Sequence, residues 1–153
     1  MAEGLKQKLN EDLKTSMKAG AALKISVLRM AMTAVHNREI QLLKKTEGLS
    51  DEEIIEVLRT EVKKRNDSAS EFQKGGRMDL AEKENAEAVI LAEYLPAEIS
   101  DEDLMRILKD GIREEGATGE KDFGKVMKAV MPVLKGKASG GRISSALKKL
   151  LGS

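Results

Sequence analysis

Residues 50–96 read SDEEIIEVLRTEVKKRNDSASEFQKGGRMDLAEKENAEAVILAEYLP, and this stretch decides the fold. Ser50 followed by Asp51, Glu52 and Glu53 is a capping box, which satisfies free backbone N–H groups and places acids on the positive end of a helix. Downstream, Ile55, Leu58, Val62, Arg65, Ala69 and Phe72 recur at three- and four-residue spacing, as on one face of a helix. Gly75-Gly76 interrupts the pattern, and a second stripe follows as Leu80, Glu84, Glu87, Leu91 and Tyr94. Tyr94-Leu95-Pro96 closes this helix, because the residue before a proline is pushed out of the α region. The two helices are therefore expected to form an antiparallel hairpin turned at the glycines. Folding there sets Arg65 near Glu84 and Glu87, and the expectation is a partly buried ion pair from Arg65 to Glu87 or Glu84 inside an apolar seam. Two carboxylates three residues apart also suit a general acid and base, or a pair of metal ligands. A charge on a core stripe reads first as a paired one that fixes register, so no catalytic residue and no metal site are assigned here.

Working outward, Leu5, Leu9, Leu13 and Met17 form an i,i+4 stripe ended by Gly20. A second helix, from Ala21 to about Lys45, is expected to bury Leu28, Ala31 or Met32, Val35 and Leu42. Beyond Pro96, Ser100 with Asp101, Glu102 and Asp103 repeats the helix-start chemistry of Ser50. A fifth helix runs to about Glu115, a turn covers Gly116 to Gly119, and a sixth helix begins near Asp122 and is stopped or kinked by Pro132. A glycine-rich loop from Gly136 to Gly141 leads to a terminal helix ending near Leu151. The fold class is all-α with two helical domains. Residues 1–95 form an N-terminal bundle with a long helical hairpin, and residues 96–153 form a small three-helix tail.

Composition agrees with this reading. The 153 residues are 41% apolar and 35% charged with only two prolines, a balance that supports helices around a core. The absence of cysteine excludes disulfides, thiolate nucleophiles and cysteine-ligated zinc. His36 is the only histidine and sits among Asn37, Arg38 and Glu39, so it reads as an exposed or hydrogen-bonded side chain. No cofactor is expected. The N-terminal residues have neither a basic nor an apolar leader region and no run is long enough to span a bilayer, which points to a cytoplasmic protein without membrane contact.

Charge carries the functional signal. From Lys121 onward, Lys121, Lys125, Lys128, Lys135, Lys137, Arg142, Lys148 and Lys149 face only Asp122, while Glu98 to Glu120 is mostly acidic; yet the formal total is +1. A local positive field attracts polyanions whatever the overall balance. In the sixth helix Phe123, Val126, Met127 and Val130 turn inward and Lys121, Lys125 and Lys128 fall on the opposite face. In the seventh, Ile143, Leu147 and Leu150 turn inward. The segment from Lys135 to Arg142 brings cations and sparsely covered backbone to a helix start, where an anion is favoured. Lys121, Lys125, Lys128, Lys135, Lys137, Arg142 and Lys149 are accordingly assigned to phosphate contact. Other motifs fail on context: Gly136 and Gly141 have Walker A spacing, but Arg142-Ile143 stands where Lys-Ser/Thr is required. The connection between the last two helices is also longer than the turn of a DNA-binding helix-turn-helix.

The order of motifs resembles the YqeY family. It is carried by Lys63-Lys64-Arg65-Asn66-Asp67-Ser68, Phe72, Gly76-Arg77-Met78-Asp79-Leu80, Glu84, Glu87 and Tyr94-Leu95-Pro96. In the second half it is carried by Gly124-Lys125-Val126-Met127, Met131-Pro132, Lys135-Gly136-Lys137-Ala138 and Gly140. Ser139 departs from the aspartate often found there. This family is similar to the C-terminal region of the B subunit of tRNA-dependent amidotransferases, where it is an RNA-contacting appendage. The resemblance implies a tRNA-binding module without its own catalysis; the family's label of carbon–nitrogen ligase with glutamine as amido donor is one of kinship, because the nucleotide-binding body is absent. The alternative is a protein-interaction module that uses the acidic stretch or the long helical hairpin to dock on an amidotransferase, an aminoacyl-tRNA synthetase or another cytosolic partner. With Phe72, Phe123 and Tyr94 as the only aromatics, the RNA partner is expected to be folded, as tRNA is, and read by shape and phosphate.

Overall fold

A computed structural model describes residues 4–152. Seven α-helices follow in order: α1 (Leu5–Ala19), α2 (Ala22–Gln41), α3 (Asp51–Lys74), α4 (Met78–Ala92), α5 (Asp101–Glu115), α6 (Phe123–Leu134) and α7 (Gly140–Leu151), with a 3-10 turn over Glu120–Asp122. No strand occurs among the described residues, so the fold is all-α. The chain divides into two compact units between Leu95 and Pro96.

In the first unit, α3 and α4 form the hairpin. The capping box is complete: Ser50 Oγ accepts from the Glu53 N–H at 3.2 Å, and Glu53 Oε1 accepts from the Ser50 N–H at 3.0 Å. Leu49, just before the cap, and Ile54, four residues after it, are both buried in one cluster as a hydrophobic staple. That staple turns Ile54 rather than Ile55 into the core, which with Leu9, Leu28, Val35, Leu58 and Leu91 is closed to solvent. At the turn, Gly76 has φ 74, a left-handed conformation that suits glycine.

Two sequence expectations change in this unit. Met17 is half exposed, while Ser16 is buried and donates to the Asp12 carbonyl. Each i,i+4 step rotates about 40° around a helix, so the two steps from buried Leu9 carry Met17 roughly 80° away from the core. The second helix ends at Gln41, not near Lys45, in a Schellman closure: the Lys44 N–H donates to the Glu39 carbonyl at 2.8 Å and the Leu43 N–H to Ile40 at 3.1 Å. Leu43 stands where glycine is usual, with φ 56 and 90% exposure. This closure leads directly into Lys44, whose Nζ lies 2.9 Å from both carboxylate oxygens of Glu53. Glu53 thus holds the Ser50 N–H and Lys44 together, and these bonds keep its pKa at about 2. Buried Glu39 similarly receives Lys6 at 2.9 Å, tying α1 to α2.

Arg65, 4% exposed, lies in the hairpin seam. Its Nε donates to Glu87 Oε2 at 3.2 Å, and its Nη1 donates to the Glu61 carbonyl and carboxylate, each at 3.2 Å. The second acid is therefore Glu61, one turn back on the same helix, and not Glu84, which stays half-buried on α4. Tyr94 is buried at the end of this unit; its hydroxyl donates to Asp12, and burial pushes its pKa up.

In the second unit, α5, α6 and α7 enclose Leu104, Leu108, Val126, Val130, Leu134, Ile143 and Leu147. Ser100 Oγ accepts from the Asp103 N–H at 3.1 Å, and Gly116 closes α5 at φ 63. Gly111 is buried where α5 meets α6; a Cβ there would lie 2.6 Å from a Val130 methyl. Pro132 does not stop α6, which continues to Leu134. The proline is exposed and near the helix end, so it removes only its own donation to the carbonyl four residues back. The glycine-rich loop is also shorter than expected, because Gly140 and Gly141 open α7 behind the Ser139 cap.

Candidate nucleic-acid interface

The α6 helix positions the cations through its buried face. Val126, Val130 and Leu134 are committed to the core, so Lys125 and Lys128, three residues apart, are held outward on the same face. Lys121 is exposed on the 3-10 turn that leads into α6. That approach is fixed by Asp122, whose carboxylate accepts from the Thr118 N–H at 2.9 Å. This bond, with the charges of Lys121 and Lys125, holds the Asp122 pKa below its usual value. Lys137 is exposed just beyond the other end of α6, its N–H bonded to the Leu134 carbonyl at 2.9 Å. At about 1.5 Å of rise per residue, the face from Lys125 to the Lys137 turn extends on the order of 15 Å. Lys121, Lys125, Lys128 and Lys137 have no carboxylate within ion-pair distance among the described residues.

The remaining assigned cations differ. Lys135 is half-buried, and Lys149 is exposed in the last turn of α7. Lys148, which sequence reasoning left out of the phosphate set, is exposed with its Nζ 5.9 Å from the centre of the Phe123 ring. Arg142, also assigned to phosphate contact, is already paired with acids of the chain itself. Its Nη1 donates to Glu98 at 3.2 Å and its Nη2 to Asp101 at 2.6 Å. Glu98 also accepts from the Ser139 N–H at 2.9 Å, so the expected anion cradle at the start of α7 holds the chain's own carboxylate. Asp101 and then Glu98 push the Arg142 pKa further up. The loop beside it is anchored as well: Ala138 is buried, and the Ile99 N–H donates to the Lys137 carbonyl at 2.9 Å. The signal for this clasp was present as the acid-rich segment after Pro96, but its partners lie more than forty residues apart in sequence.

No group of three or more His, Cys, Asp or Glu side chains capable of holding a metal occurs among the described residues. Among these residues, no helix is long and apolar enough to cross a membrane.

Comparison with known proteins adds three findings. A family model described as "Yqey-like protein" matches residues 6–151. "Altered inheritance of mitochondria protein 41, mitochondrial" of Kluyveromyces lactis is 33% identical over 81% of this chain and 70% of its own length. The proteins of the same name in Clavispora lusitaniae and Candida glabrata are 37% and 36% identical over 69% and 57% of this chain; the chain spans 61% and 47% of their lengths. These names overturn the cytoplasmic expectation, since the relatives are named as mitochondrial proteins. Composition and helix pattern describe how a chain folds and do not encode its compartment.

Proposed function

The chain belongs to the YqeY family, and from that premise we propose that it is a non-catalytic module that binds folded RNA of the tRNA class through the outer face of α6. The observation that carries this reading is the exposed set Lys121, Lys125, Lys128 and Lys137, none of which has a carboxylate within ion-pair distance among the described residues. Four such charges along one helix and its flanking turns match the needs of phosphate contact, which is electrostatic and tolerant of sequence. Base stacking has little to work with: Tyr94 is buried and both phenylalanines are half-buried. Selectivity then comes from the shape of a folded RNA. The kinship with the tail of amidotransferase B subunits supports tRNA as the ligand class. The module carries no ammonia transfer of its own in this reading.

Fluorescence anisotropy with labelled tRNA across a salt series tests it. The wild-type chain binds in dilute salt and weakens steeply as salt rises. Lys125→Glu with Lys128→Glu flattens the log–log salt slope by about 1.4 to 1.8, the release expected for two phosphate contacts. Lys83→Glu, an exposed change in the other unit, leaves the slope unchanged. A wild-type chain that ignores tRNA in dilute buffer refutes the proposal. Capture of an amidotransferase or a synthetase by that same chain would then support the adaptor role.

A further inference from the structure

Arg65 has a donor that neither of its carboxylates uses. Glu87 takes Nε and Glu61 takes Nη1, whereas Nη2 points to the sulfur of Met30 on α2 at 3.7 Å. A thioether is a weak acceptor, so a guanidinium only 4% exposed directs one arm of its fork to a soft contact. Met30 itself is open to solvent, 51% exposed, against 50% for Met17 and 50% for Met78. Among the described residues, Met30 is the methionine whose sulfur accepts from a guanidinium.

We propose that Met30 is a modification site, oxidised by hydrogen peroxide to a sulfoxide whose new oxygen is held by Arg65. A sulfur lone pair takes one peroxide oxygen and the O–O bond breaks. The departing hydroxide collects the proton left on the transferred oxygen and leaves as water. Sulfur loses two electrons and peroxide gains them. Exposure admits the oxidant, and the arm of Arg65 determines what the product does. A sulfoxide ordinarily puts a polar oxygen where an apolar side chain was packed. Here the oxygen enters the gap between sulfur and Nη2, where a long, weak contact becomes a charge-assisted N–H···O bond. Glu87 and Glu61 keep their own donors, so α2 gains a link to α3 at no cost to the ion pair. Enzymatic reduction of the sulfoxide restores the thioether, so the mark is reversible.

The test isolates Met30 from Met17 and Met78, the other half-exposed methionines among the described residues. Met17→Leu with Met78→Leu is treated with dilute hydrogen peroxide, oxygen uptake is mapped by peptide mass spectrometry, and melting is followed by circular dichroism. The expected result is one oxygen on the Met30 peptide, a melting temperature raised by about 2–4 °C, and a shift of the Arg65 side-chain N–H resonances in NMR spectra. A lower melting temperature or an unmoved Arg65 signal in the Met30-oxidised chain overturns the proposal. A second arm needs no oxidant: Met30→Gln places an amide oxygen where the sulfoxide oxygen would be. It should melt above Met30→Leu, and the reverse order overturns the proposal.

Discussion

Gly111→Ala tests the packing that sets α6, and with it the lysine face, on the tail unit. In an ordinary helix interior this change is favourable by about 0.8–1 kcal/mol, because alanine loses less backbone freedom than glycine. At Gly111 the new Cβ lies 2.6 Å from one Val130 methyl and 3.6 Å from a Val126 methyl, both on α6. Val130 is β-branched and effectively confined to one rotamer in a helix, so it cannot swing aside cheaply. Either Val130 leaves its rotamer or α5 and α6 separate, and overpacking of this kind costs about 1–3 kcal/mol. The net expectation is a loss of up to roughly 2 kcal/mol from the second unit. Each unit has its own buried core, so the assay is urea titration that reads the second unit directly, through amide resonances of α5 and α7 in heteronuclear NMR spectra. Val130→Ala alone also destabilises, by creating a cavity. In the double variant the missing methyls admit the new Cβ, so the combined loss falls below the sum by about 1 kcal/mol or more. A stabilised Gly111→Ala, or strictly additive losses, would refute this account of how α5 and α6 meet.

Two further outcomes follow from buried charge in the first unit. The Glu53 carboxylate, whose pKa is lowered from 4.5 to about 2 by the Ser50 N–H and Lys44, stabilises the fold above its unfolded pKa. It loses that contribution as pH falls through the folded value. Urea unfolding should therefore show wild type losing on the order of 2 kcal/mol more than Glu53→Gln over that interval; identical pH curves would remove Glu53 from the balance. Arg65→Met leaves Glu87 and Glu61 without their shared cation in a nearly closed seam, a loss of about 3–5 kcal/mol. Adding Glu87→Leu to it restores most of that stability, as thermal melts of the single and double variants would show. If the double variant is no better than the single one, the seam owes its stability to something other than charge pairing.

What could be read from sequence was local. Ser50 with Glu53, Ser100 with Asp103, and the glycines after α1 and α5 are chemistry within one helical turn, and they placed helix ends closely. The end of α2 escaped because Leu43 adopts φ 56, a conformation its residue type does not advertise. Its cause lies in tertiary structure, where the following Lys44 reaches Glu53. Glu61 could have been found as Arg65's partner from i,i+4 spacing, but the hairpin drew attention to Glu84 across the seam. In α1, the straight i,i+4 row ignored helix twist, so Met17 was placed inside. The Arg142 partners were the hardest to read. Nothing near Arg142 in sequence marks Glu98 and Asp101, which meet it only when the start of α5 folds beside the start of α7.

That clasp changes what the charge segregation means. Along the chain, acids precede bases as two blocks; in space, Glu98 and Asp101 cancel Arg142, while Asp103 and Asp110 pair locally with Arg106 and Arg113. Every arginine of the second unit is therefore turned toward an acid, and the charges left open along α6 are lysines. The difference is chemical. An arginine fork reads a planar acceptor pair and imposes geometry, whereas a lysine is a hydrated point charge on a flexible stem. A lysine face attracts phosphate with little demand on which nucleotide carries it. If α6 meets RNA, discrimination must lie in how far apart the outer cations stand, from Lys121 past Lys125 and Lys128 to Lys137. Moving one lysine along α6 should alter the choice between folded RNAs more than replacing lysine by arginine in place.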